Sequence, residues 1–319
     1  MSINVRFWGT RGSIPAALTA KALRVKLVDA LVAASGRDLD TPEKASAFAD
    51  TLPFATSHTF GGNSSCIELR SEGAGRVLLD MGSGARAAAG DALRELKGVP
   101  GEFHVFQSHL HWDHIMGFPF FTPAYIPGHK ITIYGCHAEL EHAFRRQQAQ
   151  PSFPVDFSVM AAKIEFVVLE PLRTYEIAGY RVTPKPQVHG GDSYGYRFER
   201  DGKAVIYSTD SEHKVEDAEE TRKFIDFFHD ADLVIFDAMY SLADTVSVKE
   251  DWGHSSNVVG VELCQLAQAK HLVLFHHEPA YDDATIERVW RETQRLEEIT
   301  REEHPVTVTA AYDGLEITL

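Results

Sequence analysis

The stretch Ser108-His109-Leu110-His111-Trp112-Asp113-His114, SHLHWDH, holds three histidines and one aspartate within six positions. The segment before it, EFHVFQS (residues 102–108), is apolar enough to predict a buried strand. Alternate side chains of an extended segment project to the same side, so His109, His111 and Asp113 are expected to point one way, with His114 following where the chain turns. Imidazole and carboxylate groups suit zinc, manganese or iron. The stretch therefore predicts a metal site at the end of a core strand.

Further candidate ligands follow other predicted strands. His189 follows TPKPQV, Asp210 ends AVIYSTD, and His276 and His277 end HLVLFHH. Site residues commonly occupy loops that follow buried strands. Taken alone, each of these residues is more readily an ordinary polar residue at a strand end. Together with the first motif they complete a ligand set large enough for two metals, although spacing leaves open whether His276 or His277 belongs to it.

Composition restricts the class of partner. The 319 residues include 31 Lys and Arg against 46 Asp and Glu, giving a net charge of −15. Such an acidic surface repels long polyanions, which argues against a nucleic-acid polymer as the main partner and still permits a small anionic substrate held by a local cation. The apolar content of 44% is ample for a hydrophobic core.

Cysteine usage and the N-terminus predict a cytoplasmic protein. The three cysteines are scattered without a CxxC pair, which is typical of reduced thiols. The opening residues MSINVRFWG enter a strand pattern directly, so no signal peptide is expected. No window approaches 18 uninterrupted apolar residues, so no membrane span is expected.

The order of predicted elements indicates an α/β fold with two packed sheets and helices outside. In the last third, helices near 217–229, 255–269 and 282–300 alternate with strands. We expect a single domain over residues 1–319 with a helical insertion at about 17–58. Within it, Leu23, Leu27 and Leu31 lie on one face of a helix that Gly36 ends, and Thr41 caps a second helix.

These motifs, in this order, resemble the metallo-β-lactamase superfamily of dinuclear metallohydrolases. The resemblance extends over RFWGTRGSIP, TFGGNSSCIEL, LLDMGSG, SHLHWDHIMGFPFF, VIYSTD, WGHSS and LVLFHHEP. The opening GT-x-G-S-x-P, Asn63-Ser64-Ser65 and GHSS (residues 253–256) are most similar to its phosphodiesterase branch, which includes RNase Z and the cyclic nucleotide and cyclic-phosphate phosphodiesterases. The resemblance implies an αββα sandwich with two mixed sheets and the metals at one edge.

The resemblance also implies roles for individual residues. His109, His111 and His189 would hold one divalent metal, Asp113, His114 and His276 the other, and Asp210 would bridge them. Zinc is the first expectation, with manganese or iron(II) as alternatives. Asp80 would orient a ligand or its loop, or merely cap a turn. His254 would be the acid that protonates the leaving group, or a plain loop histidine, and Asp113 could move the nucleophile's proton.

The function expected from this set is hydrolysis of a small phosphodiester such as a cyclic nucleotide by a metal-bound hydroxide. The alternatives are a lactonase or thioesterase of the same fold, an RNA-processing endonuclease, and a non-catalytic sensor or scaffold. Arg145, Arg146, Phe153 and Phe157 could stack a base and meet a phosphate, or could form a solvated helix and loop. The 17–58 segment could be a lid or a homodimer contact.

Overall fold

The computed structural model describes residues 2–213, 218–240 and 253–319. Within these ranges the strands form two mixed, seven-stranded sheets. The first contains β1 (Ile3–Gly9), β2 (Cys66–Ser71), β3 (Arg76–Leu79), β4 (Glu102–Phe106), β5 (Lys130–Gly135), β6 (Lys163–Val168) and β14 (Glu316–Thr318), in the order β14-β1-β2-β3-β4-β5-β6. The second contains β7 (Tyr175–Ile177), β8 (Tyr180–Gln187), β9 (Ser193–Arg200), β10 (Lys203–Ser208), β11 (Leu233–Asp237), β12 (His271–Phe275) and β13 (Thr307–Ala310), in the order β13-β12-β11-β10-β9-β8-β7.

Helices cover the outer face of each sheet. They are α1 (Ala20–Ala33), α2 (Pro42–Ala49), α3 (Phe54–Ser57), α4 (Ala85–Leu96), α5 (Trp112–Ile115), α6 (Leu140–Gln147), α7 (Ala218–Phe228), α8 (Asn257–Leu266) and α9 (Asp283–Thr300), with 3₁₀ turns at Phe118–Phe120, Thr122–Tyr125 and Phe157–Val159. The alanine face of α4 packs in one outer core with side chains of the first sheet. Side chains of α7, α8 and α9 pack with the second sheet in another. The predicted αββα sandwich is confirmed.

The central core lies between the two sheets. Val5, Phe7 and Phe106 of the first sheet and Tyr196 and Phe275 of the second belong to one fully buried cluster. Burial of each large apolar side chain stabilises the fold by roughly 1.5–3 kcal/mol relative to exposure. This shared core fixes the two sheets face to face, so that loops from both sheets can meet at one edge.

Parallel pairing determines which loops meet there. β3, β4 and β5 run parallel in the first sheet, and β10, β11 and β12 run parallel in the second. Asp80, Asp210 and His276 follow the ends of β3, β10 and β12, and all three have left-handed backbones with φ of 59°, 47° and 61°. This conformation is uncommon for residues other than glycine and costs on the order of 1–3 kcal/mol, and such residues cluster at functional sites.

The helices predicted near the N-terminus are present. Gly36 has φ of 74° just beyond α1, and the Thr41 side chain accepts a hydrogen bond from Lys44 N at the start of α2. The leucine face of α1, in contrast, is not packed: Leu23 and Leu27 are each 57% exposed. α1 contacts α3, which contacts α9. Helical periodicity thus predicted the helix, but it did not predict that the leucine side chains of this helix are exposed.

Other elements were not expected from the sequence, among them α4, α5, β7 and β14. The start of the helix predicted near 217–229 lies outside the described residues, and its described part begins at Ala218. The three cysteines are free, with Cys66 and Cys264 buried. Among the described helices, none is both long and apolar enough to cross a bilayer.

Candidate metal centre

The stretch SHLHWDH changes conformation in its middle. The chain is extended at His111 (φ −64°, ψ 153°), and α5 begins at Trp112. The prediction that Asp113 projects with His109 and His111 by strand alternation is therefore wrong. The helical turn of α5 brings Asp113 and His114 to the same place instead, and both are buried. His109 comes from the extended part and is fully buried, whereas His111 lies at the surface.

The carboxylate of Asp210 separates the candidate ligands into two groups. Its Oδ2 lies 3.6 Å from His109 Nε2 and 3.7 Å from His189 Nε2. Its Oδ1 lies 3.2 Å from His114 Nε2 and 3.3 Å from His276 Nε2. His111 joins the first group, since its Nδ1 is 3.2 Å from His189 Nε2. Asp113 joins the second, since its Oδ2 is 3.2 Å from His114 Nε2 and 3.5 Å from His276 Nε2.

The outward nitrogens of three of these imidazoles are held by neighbouring groups. His109 Nδ1 is 3.1 Å from Ser108 Oγ, His114 Nδ1 donates to Asp80 Oδ2 at 2.6 Å, and His189 Nδ1 donates to the Gly253 carbonyl at 2.7 Å. A hydrogen bond to one ring nitrogen fixes the tautomer and leaves the other nitrogen free to ligate. In each of these rings Nε2 is the nitrogen left facing Asp210.

Two glycines allow this close packing of rings. A Cβ at Gly12 would lie 2.6 Å from the His276 ring, and one at Gly253 would lie 2.5 Å from His189 Nδ1. Gly253 also has φ of 80°. Gly12 of GTRGSIP and Gly253 of GHSS therefore have a steric function: they let the backbone lie directly against the imidazoles.

Asp80 is the hub of a buried network beneath the cluster. Its carboxylate accepts hydrogen bonds from His114 Nδ1 at 2.6 Å, Ser108 Oγ at 2.6 Å, Tyr207 Oη at 2.7 Å and Gln107 Nε2 at 2.9 Å. Four side-chain donors converge on this carboxylate, which also accepts from the Ser108 backbone N–H at 2.8 Å, and the His114 ring is thereby fixed in orientation. This contact supports the expectation that Asp80 orients a ligand.

The cluster has the properties of a cation site. His109 Nε2 and Asp113 Oδ2 are buried without a hydrogen-bond partner among the described residues, and such groups are costly unless something else binds them. Burial lowers the pKa of His109 well below its usual value. Burial alone would raise the pKa of Asp210, but the neighbouring His276 and His114 hold it well below the usual range. Imidazole nitrogens arranged around an ionised carboxylate fit a divalent cation.

The structure separates the two candidate histidines after β12. His276 Nε2 faces Asp210, as above, whereas His277 Nε2 is 2.8 Å from the Ala311 carbonyl. Burial lowers the pKa of His277 to about 3. His276 therefore lies in the cluster, and His277 is a hydrogen-bonded core residue.

His254 lies beside the cluster, paired with an aspartate that the sequence analysis missed. Its ring centroid is 5.1 Å from those of His189 and His276, and its Nδ1 donates to Asp237 Oδ2 at 2.8 Å. Burial alone would lower the pKa of His254, but Asp237 raises it to about 9. The signal was available: Asp237 directly follows the apolar run LVIF, as Asp210 ends AVIYSTD.

With this geometry in place, comparison with known proteins identifies the family. The profile described as "Beta-lactamase superfamily domain" matches residues 75–277. The chain belongs to this superfamily. It is 26% identical over 279 residues to a Ribonuclease Z of Natronomonas pharaonis, covering 71% of this chain and 85% of that protein.

Two solved structures share the fold of this superfamily member along its whole length. The metallo-β-lactamase fold protein YhfI from Bacillus subtilis superposes with a TM-score of 0.65 at 17% identity, covering 100% of this chain and 99% of that one. Zn²⁺-bound PqqB from Methylobacterium extorquens also gives 0.65, at 18% identity, covering 99% and 100%. The predicted membership of the metallo-β-lactamase superfamily is confirmed.

A surface cavity of about 720 Å³ adjoins the cluster at His111. Arg146 and Phe153, two of the predicted substrate contacts, line it, together with Trp112 and Phe120, which the sequence analysis did not single out. Arg145 does not line this cavity. Its guanidinium pairs with Glu141 at 2.8 Å and lies 4.4 Å from the centre of the Phe157 ring, so the expectation that Arg145 meets substrate is not supported.

Proposed function

We propose that this protein is a dinuclear metal-dependent phosphodiesterase acting on a small phosphodiester such as a cyclic nucleotide. The observation that carries the proposal is the position of Asp210, whose two oxygens each lie close to two histidines of a different group. A carboxylate that serves two groups of ligands suits two cations better than one.

The residues divide between the two cations as the resemblance implies. His109, His111, His189 and Asp210 would hold one, and Asp113, His114, His276 and Asp210 the other. Ligand sets of imidazole and carboxylate favour zinc, with manganese or iron(II) as alternatives. When bound, such a pair of cations lowers the pKa of a water molecule and offsets charge on phosphoryl oxygens.

The protein's own side chains would donate and accept the protons of the reaction. His254 donates a proton to the leaving alkoxide oxygen, and Asp237 holds its ring through the 2.8 Å hydrogen bond to Nδ1. The other ring nitrogen, Nε2, makes no hydrogen bond to any residue in the described part of the chain and is available to the substrate. Asp113, buried at the cluster, accepts the proton of the attacking water. Asp80 keeps the His114 ring in place.

Phosphodiester chemistry and small substrate size rest on different observations. The similarity to a Ribonuclease Z supports cleavage of a phosphodiester bond. The net charge of −15 opposes binding of a polyanion and favours a small substrate. A histidine placed to protonate an alkoxide favours a phosphodiester over a lactone or thioester, which does not call for such an acid.

A hydrolysis screen tests the proposal. Purified protein loaded with zinc or manganese is offered 3′,5′-cyclic AMP, bis(p-nitrophenyl) phosphate, a precursor tRNA, a lactone and a thioester. We expect turnover of the first two compounds. Turnover of only the lactone or thioester would refute phosphodiesterase chemistry, and turnover of only the precursor tRNA would refute the small-substrate assignment.

A further inference from the structure

The cavity beside His111 has an unusual wall for an acidic, water-facing surface. Trp112 is 67% exposed and Phe120 is 54% exposed, although exposure of large aromatic side chains is unfavourable. Phe153 completes the group, with its ring centroid 5.6 Å from that of Phe120 at an interplanar angle of 83°. All three line the same 720 Å³ cavity, whose size is in the range of small-ligand sites.

The position of Trp112 connects this wall to the metal centre. It lies between His111 and Asp113 in sequence and is the first residue of α5. His111 itself also lines the cavity. A group bound against Trp112 is therefore next to the predicted reaction centre.

The same cavity carries a positive charge. Arg146, on α6, lines it and forms no ion pair with any described residue, in contrast to its neighbour Arg145, which pairs with Glu141. In a chain with a net charge of −15, an uncompensated guanidinium at this cavity favours an anionic ligand. Flat aromatic walls with a nearby guanidinium are also the features that bind a nucleobase by stacking while the phosphate is held electrostatically.

We infer that this cavity binds the base of a nucleotide phosphodiester, with Trp112, Phe120 and Phe153 forming the stacking surface and Arg146 the adjacent cation. This inference rests on the proposed function and makes it more specific. The substrate is then a phosphodiester that carries a planar aromatic ring, and these side chains determine selectivity for it. Purely aliphatic phosphodiesters would bind without this contribution.

The kinetic test compares 3′,5′-cyclic AMP with abasic ribose 3′,5′-cyclic phosphate, which presents the same phosphodiester and leaving group. Loss of a stacking side chain costs about 5- to 150-fold per base, so Trp112→Ala and Phe153→Ala should lower the ratio of the two kcat/KM values by that factor. Trp112→Phe should retain most of the wild-type ratio of the two kcat/KM values. Equal losses on both compounds, or no loss on either, would overturn the inference.

Arginine variants supply a matched pair. Arg146→Ala should weaken cyclic AMP hydrolysis through KM, whereas Arg145→Ala, whose guanidinium is paired elsewhere, should leave it unchanged. Equal effects of the two substitutions would contradict a specific role for Arg146. Metal content and thermal unfolding are measured for every variant, so that a folding defect is recognised.

A binding measurement separates failure of this inference from failure of the proposed function. Trp112 is far more exposed than Trp8, which is 7% exposed, so stacking of adenosine 5′-monophosphate should quench intrinsic fluorescence in the wild type and much less in Trp112→Phe. Quenching without hydrolysis of any phosphodiester would sink the proposed function and leave the cavity assignment standing. Hydrolysis of a phosphodiester without Trp112-dependent quenching would refute the cavity assignment and leave the proposed function standing.

Discussion

The pair His254–Asp237 offers the most discriminating test of the proposed chemistry. As a general acid, His254 should contribute roughly 10²–10⁴-fold in rate. That help is needed when the leaving group is a ribose alkoxide, and much less when it is p-nitrophenolate, which departs readily without a proton. His254→Ala should therefore slow cyclic AMP hydrolysis by roughly 10²–10⁴-fold and bis(p-nitrophenyl) phosphate hydrolysis far less.

The structure also predicts the effect of substituting Asp237, the hydrogen-bond partner of His254. Asp237 is fully buried, and its Oδ2 accepts hydrogen bonds from His254 Nδ1 at 2.8 Å and from Ser211 N at 3.1 Å. Asp237→Asn retains the shape but removes the negative charge that holds the His254 ring. Loss of such a supporting contact costs roughly 10–100-fold, so Asp237→Asn should fall between wild type and His254→Ala on cyclic AMP.

The assay is steady-state kinetics on both substrates with metal content measured in parallel. His229→Ala is a matched control, because His229 also pairs with an aspartate, Asp230 at 3.4 Å, but its side chain is 61% exposed and outside the cluster. Equal losses on the two substrates in His254→Ala would mean that His254 positions phosphate or metal. No loss on either would remove the main reason for preferring a phosphodiesterase to a lactonase or thioesterase.

Four further predictions concern metal binding, stability and the N-terminal helices. Asp210→Ala should lower metal content from about two ions per chain and reduce activity; elemental analysis showing both ions retained would contradict the bridging role. Burial lowers the pKa of Lys185 from 10.5 to about 8. Between pH 8 and pH 10.5 the unfolded chain therefore binds more protons than the folded chain. The free energy of unfolding should then rise with pH across this range, by roughly 3 kcal/mol in total. Lys185→Met should abolish that rise in urea unfolding, and an unchanged pH profile would refute the assignment. If residues 17–58 form a lid, deleting them should change selectivity among substrates more than turnover of a minimal one, with unchanged kinetics as the contrary result. If α1 is instead a homodimer contact, Leu27→Glu with Leu31→Glu should lower the mass measured by light scattering, and an unchanged mass would exclude that role.

Sequence reasoning located the cluster well because each member carries a local signal. His109 and His111 follow an apolar run within a dense motif, and His189, Asp210 and His276 each lie one or two residues beyond the end of a strand. Asp237 has the same local signal as Asp210 but was missed. Its role depends on β11 lying between β10 and β12, and strand order within a sheet is not visible in a single sequence.

Other errors have equally physical causes. Asp113 was placed by strand alternation because the sequence does not show where α5 begins. α4 was overlooked although parallel β3 and β4 require a crossover connection, which is usually a helix. The aromatic wall of the cavity was only partly foreseen. Trp112 and Phe120 look like core residues until the structure shows them exposed.

At the edge of the two sheets where the metal cluster lies, several residues have backbone conformations or surroundings that destabilise the folded state. Asp80, Asp210 and His276 adopt left-handed backbones, and His109 Nε2 and Asp113 Oδ2 are buried without a hydrogen-bond partner in the described residues. Each feature destabilises the fold, and all of them lie at one edge of the two sheets, whereas the core between the sheets is well packed. Local departures of this kind persist where the surrounding structure holds them for a function. A cation that neutralises the cluster would offset part of this cost, because it binds the folded arrangement and not the unfolded chain.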